Sequence, residues 1–299
     1  MKNRKLGILS LFSVGAMYGM YGVYSRMIGD AFGNFNQNWL RNLAVALIAG
    51  LIILISRSQL KPLLRKDIKW IIIWFLSGSW VAVLTFIAFN NLKIGTVYLV
   101  LYSAMITSGY LSGQIFFKEK TSLTKIISLA LAIGGLAIIY KFSIAKEEMI
   151  YAIMCLVSGL MIGVWNTISK KFSDNYPNMQ MVLMDAIASV IATLIGATLF
   201  KEILPSNINP VSWLWLLIYA FTQVANVGLI VYGFKNLEAQ IGSIILPVEI
   251  VFATIFAFIF FKEYPTLSAY IGGMMIIGAA IIPSLEIIFA KKSPSPDLS

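Results

Sequence analysis

Glu249 lies eight residues into an apolar run that begins at Ile241, with Pro247 two positions before it. On a helix rising about 1.5 Å per residue, its carboxyl group stands roughly 12 Å inside that run. A carboxyl group at such depth can bind the ammonium group of a small molecule or carry a proton. It can also serve the structure alone, by hydrogen bonding to a neighbouring helix. Pro247 has no N–H to donate to the Ser243 carbonyl, which leaves an acceptor free close by.

Arg41 and Asp185 are the other ionisable residues furthest inside apolar runs, each about six residues from the start, or roughly 9 Å along a helix. Such groups cost at least a few kcal/mol in a bilayer unless they face a cavity or a partner. Their positions suit two entrances, an outer one at Arg41 and an inner one at Asp185. Snorkelling to the headgroups is the alternative for Arg41. Polar and aromatic side chains supply a candidate binding wall. Tyr219, Gln223 and Asn226 recur at i, i+4, i+7, and Tyr98 and Tyr102 line up with Met105. Trp165-Asn166 and Trp80 add rings and a further amide. The amides weigh more than the rings, because an unsatisfied amide is costly in hydrocarbon whereas a lone ring packs or faces lipid.

The elements that carry these residues follow from composition. Hydrophobic residues make up 59% of the 299 and charged residues only 12%, which points to a chain solvated by a bilayer. A hydrocarbon core of about 30 Å takes about 20 residues of helix. Ten spans are expected near 6–26, 35–56, 68–89, 94–117, 123–141, 148–169, 179–200, 212–234, 240–261 and 266–290. The polar, Pro-containing 291–299 reads as a disordered cytoplasmic tail.

The chain carries a formal net charge of +10, but the positions of the basic residues exclude a nucleic-acid partner as the cause. Most of the 23 Lys and Arg fall on one side of the expected spans, among them Lys2, Arg4, Lys5, Arg57, Lys61, Arg65, Lys66, Lys118, Lys120, Lys170, Lys171, Lys291 and Lys292. By the positive-inside rule that side is cytoplasmic and holds both termini. The first run is too long, and lacks a small-residue cleavage site, for a signal peptide, so it is read as a retained helix. Cys155 stands alone, histidine is absent, and no metal-ligand or nucleotide-binding pattern appears. An intramembrane enzyme, a lipid translocator and a pore are the rival classes. The first needs a paired nucleophile and base or a metal cluster, which the residues do not offer; the other two need a continuous polar groove. No enzyme activity and no cofactor are expected.

The string IFFKE occurs at 115–119 and again at 259–263, 144 positions apart (259 − 115). The same offset carries Gly15, Met17, Gly19, Ser25 and Asp30 onto Gly159, Met161, Gly163, Ser169 and Asp174, and Arg26 onto Lys170. Tyr21 falls on Trp165, and Arg41 on Asp185. Phe89, Asn91 and Leu92 match Phe234, Asn236 and Leu237 at 145, as one inserted residue allows. Five spans separate the two copies, so they end on opposite sides of a membrane. The expected architecture is all-α, with ten transmembrane helices in two inverted five-helix repeats at 1–144 and 145–290. Inverted repeats suit a carrier that exposes one midplane site to each side in turn. Gly15-x-x-x-Gly19 and Gly159-x-x-x-Gly163 are read as packing faces rather than ligands.

The second span, LRNLAVALIAGLIIL, the stretch KNLEAQIGSIILPVEIVFATIFAFIFFKE and the paired apolar-to-KE endings resemble the drug/metabolite transporter superfamily, in particular its EamA-type ten-helix members. Tyr18-Gly19 stands where that family commonly has Trp-Gly. Members often place a proline directly after the acidic residue of the ninth helix, whereas Ile250 follows Glu249 here. The resemblance covers nearly the whole chain and implies an inner-membrane transporter, export rather than uptake, and no direct use of ATP. With the wall described above, the expected substrate is an amino acid or related amine-bearing metabolite, bound by Glu249, Trp165, Asn166, Gln223, Asn226, Tyr98, Tyr102 and Trp80, with protons as a candidate coupling ion.

Overall fold

The computed structural model describes residues 3–140 and 144–289; the expected tail at 291–299 and the outermost residues of the spans drawn to 141 and 290 lie outside them. The first repeat holds α1 (Arg4–Gly19), α2 (Tyr21–Ile28), α3 (Asn34–Ile55), α4 (Ile68–Ser79), α5 (Val81–Asn91), α6 (Ile94–Phe117) and α7 (Leu123–Ile139). The second holds α8 (Met149–Ile168), α9 (Asn178–Leu199), α10 (Pro210–Asn236), α11 (Ala239–Ile245), α12 (Val248–Phe261) and α13 (Leu267–Phe289). Short breaks divide three spans, so α1 with α2, α4 with α5, and α11 with α12 each cross once. Among the described residues nine segments are long and apolar enough to span a membrane. The tenth, α7, has 17 residues, about 26 Å of helix against a core of about 30 Å.

Packing follows an inverted two-fold pattern. α1 packs on α12 as α8 packs on α6, and α1 packs on α10 as α8 packs on α4 and α5. α3 pairs with α9, and α7 with α13, each with its own counterpart. The glycine faces show the relation atom by atom. A β-carbon on Gly19 would lie 2.8 Å from the Ala253 amide nitrogen, and one on Gly163 would lie 2.7 Å from that of Gly109. Ala253 and Gly109 are themselves 144 apart. Gly15 likewise meets Val248 where Gly159 meets Ala104. Only glycine lets these backbones approach so closely.

The repeated KE ending is a helix stop. Lys118 and Lys262 adopt left-handed backbone, with φ of 53° and 58°. The next amide then turns back, from Glu119 to the Gly113 carbonyl at 2.9 Å and from Glu263 to that of Ala257 at 3.3 Å. Arg57 and Lys201, another pair 144 apart, do the same with φ of 50° and 53°. A cation at each stop complements the negative end of the helix dipole.

The break between α11 and α12 falls at Leu246 and Pro247, in the stretch where the repeat offset changes from 145 to 144. Proline cannot supply the next helical N–H, so α11 ends there. Glu249 consequently occupies the first turn of α12, where the positive helix end favours a carboxylate.

Candidate functional site

Between the repeats lies a cavity of about 790 Å³. It reaches the surface at the far end, away from Asn3, where Arg26, Asn34 and Glu263 line it and are exposed. Its inner wall reaches Met105, Trp165, Asn166, Asp185 and Leu246. Beyond these the near end is tightly closed. A β-carbon on Gly109 would lie 2.8 Å from that of Ser243, and one on Gly113 would lie 2.6 Å from Glu119 Oε2.

Glu249 reaches the cavity from the first turn of α12, and its Oε1 accepts a short hydrogen bond from the Tyr102 hydroxyl on α6. Met105 is its counterpart in the other repeat and lines the same cavity, so the deep carboxylate has no equal across the two-fold. Tyr98 stacks 5.9 Å from Tyr102 and 5.4 Å from Tyr140, extending an aromatic strip towards the far end.

Arg41 and Asp185 both line this cavity, from α3 and α9, and do not pair with each other. The Arg41 guanidinium lies 4.2 Å from the Tyr219 ring centroid and donates to Asn38 Oδ1 at 2.5 Å. Asp185 Oδ1 accepts from Trp165 Nε1 at 2.8 Å, and that indole is parallel to Trp74 at 6.4 Å. Trp165 fits because residue 78 is glycine; a β-carbon there would come 2.5 Å from the indole nitrogen. Gln223 also lines the cavity, with its Nε2 2.8 Å from Asn42 Oδ1. Asn166 lines it with Oδ1 buried and without a hydrogen bond.

Two residues expected in the wall stand elsewhere. Asn226 is fully buried and donates to the Tyr21 hydroxyl at 2.8 Å, so Tyr21 covers it and takes its place at the surface. Trp80 sits at the break between α4 and α5, packed against the cluster around Phe35 and Val83. Its neighbours Ser79 and Val81 line the cavity instead. Tyr18, Tyr21, Asn38 and Asn42 line it as well, beyond the residues expected in the wall. The Asn38-Arg41-Asn42 spacing of i, i+3, i+4 is a readable signal for α3, and the 144 offset that sets Tyr21 on Trp165 is one for Tyr21.

The two ends are held by corresponding ion pairs. At the near end Lys170 Nζ is 2.7 Å from Glu119 Oε1, with side chains only 11% and 7% exposed. Glu119 also accepts from the backbone amides of Ala239 at 2.7 Å and Gln240 at 3.0 Å. Lys125 reinforces this end through Glu238 at 2.5 Å and Gln240 Oε1 at 2.8 Å. At the far end the equivalent pair, Arg26 and Glu263, is 2.5 Å apart but more than half exposed on both sides.

A sequence model of the EamA-like transporter family matches the chain twice, over residues 5–141 and 149–285. A solved chain described as "Crystal structure of protein" superposes with a TM-score of 0.80, covering 97% of this chain and 100% of its own at 16% identity. That likeness concerns the fold. No curated protein matches the chain.

Proposed function

Because the chain belongs to the EamA-like transporter family, we propose that it is a secondary carrier that moves a small amine-bearing metabolite, an amino acid or close relative, across the inner membrane. The observation that carries this reading is a cavity between inverted repeats, closed at one end, with Glu249 and Asp185 in its wall. Glu249 receives the ammonium group. The tyrosines and Trp165 surround the rest of the molecule, since a cation is favoured over aromatic faces and apolar groups against them.

Transport proceeds by exchanging which end is sealed. In the state described, the buried Lys170–Glu119 pair holds the near end shut while the exposed Arg26–Glu263 pair flanks the open far end. The two-fold relation supports the reverse arrangement, with the far pair buried and the near pair released. With the near end cytoplasmic by the positive-inside rule, the state is outward-facing and both termini are cytoplasmic. Export returns the empty carrier inward, and a proton taken up at Glu249 would drive that return.

The test is countertransport in liposomes containing purified protein, preloaded with a panel of amino acids, amines, sugars and nucleosides. Acceleration of labelled amino acid or amine efflux by the same class outside supports the reading. Exchange confined to sugars or nucleosides removes the amine assignment, and flux that never saturates removes the carrier.

A further inference from the structure

Arg41 is a cation in the cavity wall with no carboxylate within ion-pair distance among the described residues. The carboxylates that share its cavity wall are engaged elsewhere, Asp185 by Trp165, Glu249 by Tyr102 and Glu263 by Arg26. The nearby amides are partly committed, although Gln223 Oε1 is buried without a hydrogen bond. Asn42 donates to the Asn38 carbonyl at 2.9 Å, and Gln223 donates to Asn42 Oδ1 at 2.8 Å. Arg41 Nε is shielded from solvent and has no acceptor.

Snorkelling does not explain this geometry. A snorkelling arginine carries its charge out to headgroups, whereas here the guanidinium carbon lies 4.2 Å from the centroid of Tyr219, a buried ring facing the cavity. One nitrogen of the fork reaches Asn38 Oδ1 at 2.5 Å, while Nε of the same guanidinium is left without an acceptor. A guanidinium so held matches a planar carboxylate through two parallel hydrogen bonds.

We propose that Arg41 is the anion subsite of the transport cavity and holds the carboxylate of the substrate. The proposal rests on the reading that Glu249 takes the ammonium group, and it names the group that would favour a zwitterion over an amine alone. Tyr21 and Tyr219 line the same cavity wall as the two charges. Their rings are 4.3 Å apart, and both are within electrostatic reach of Arg41 and of Glu249. A molecule with a charge of each sign is complementary to both groups at once. An amine alone would leave Arg41 desolvated and uncompensated, which disfavours its binding.

The test compares binding to the purified full chain of each neutral amino acid with that of the amine in which hydrogen replaces the carboxyl group. Wild type is expected to prefer the amino acid. Arg41→Met is expected to lower amino-acid affinity about 30-fold and amine affinity by less than about threefold, the scale of one charge-assisted contact. Amine binding by the variant also reports that it is folded. If Arg41→Met does not fold, Arg41→Lys, which keeps the charge and loses the fork, is expected to show a smaller loss confined to the amino acid. Discrimination that neither substitution diminishes overturns the subsite. A wild type that binds amines as tightly as amino acids overturns it too, while leaving the amine reading intact. A wild type that binds neither class overturns both.

Discussion

Glu119 and Glu263 occupy the same place in the two repeats and pair with residues that also correspond, yet one is buried and the other exposed. Glu119 ties Lys170 to the start of α11. Glu263 holds Arg26 at the rim of the cavity. One chemical device therefore stands in two conditions within a single conformation, which is the form an alternating seal requires.

The difference should be visible in stability. Glu119→Gln is expected to cost about 3 kcal/mol, because it removes the carboxylate that neutralises the buried Lys170 ammonium. Glu263→Gln should change stability by less than about 1 kcal/mol, as for exposed pairs generally. Thermal unfolding in detergent measures both, and equal shifts would contradict the assignment of buried and open ends.

Weakening the near seal should also expose what lies behind it. Ser243 is buried against Gly109. In a Cys155→Ala background, Ser243→Cys is expected to resist a thiol reagent added from the near side. Addition of Glu119→Gln should speed the reaction about tenfold, the effect of a shift of roughly 1.4 kcal/mol between states. An unchanged rate would mean that this pair does not hold the seal.

Glu249→Gln keeps the shape of the side chain and removes its titration. If the carboxyl group carries the coupling proton, pH-gradient-driven accumulation in liposomes disappears while substrate-for-substrate exchange persists. If it serves as the ammonium ligand alone, both activities fail together with binding. Wild-type behaviour in both assays would reduce Glu249 to a structural residue.

Orientation has a direct check. Cysteines replacing Ser122 and Thr266, in the absence of Cys155, should react with an impermeant reagent from opposite sides, Ser122 from the cytoplasm. Both residues follow a KE stop and lead into the last span of their repeat. Reaction of both from one side is incompatible with inverted repeats.

The glycine contacts should respond as a matched set. Gly19→Val and Gly163→Val both drive a branched side chain into facing backbone, and each should destabilise by at least the 1–3 kcal/mol typical of overpacking. Unfolding measurements that show a loss at one site and none at the other would break the equivalence.

Much of this was legible in the sequence because the bilayer leaves polar residues few roles. The ten segments, the 144 offset, and the depth of Arg41, Asp185 and Glu249 could be read from spacing alone. Periodicity assigned Tyr219, Gln223 and Asn226 to one face of α10, but it carries no information on what comes to rest against that face. Tyr21, about 200 residues away in sequence, covers Asn226. Trp80 stands outside the cavity lining for a related reason: at the break between α4 and α5 it packs against the cluster of Phe35 and Val83, and no proline announces that break. Gly78 gave no signal, since its importance lies in the room it leaves for Trp165.

The exchanged packing of the repeats bears on how the protein is made. Gly15 and Gly19 of α1 meet α12, and Gly159 and Gly163 of α8 meet α6, so each of these faces finds its complement in the other repeat. Until the ninth span is made, Gly15 and Gly19 lack the α12 surface that they meet in the complete chain. Neither half is a self-sufficient folding unit. A chain cut in the connection between α7 and α8 should yield two fragments that are degraded when made singly and recovered as one functional complex when made together, so that completion of the second half is the step at which quality control can first judge the first.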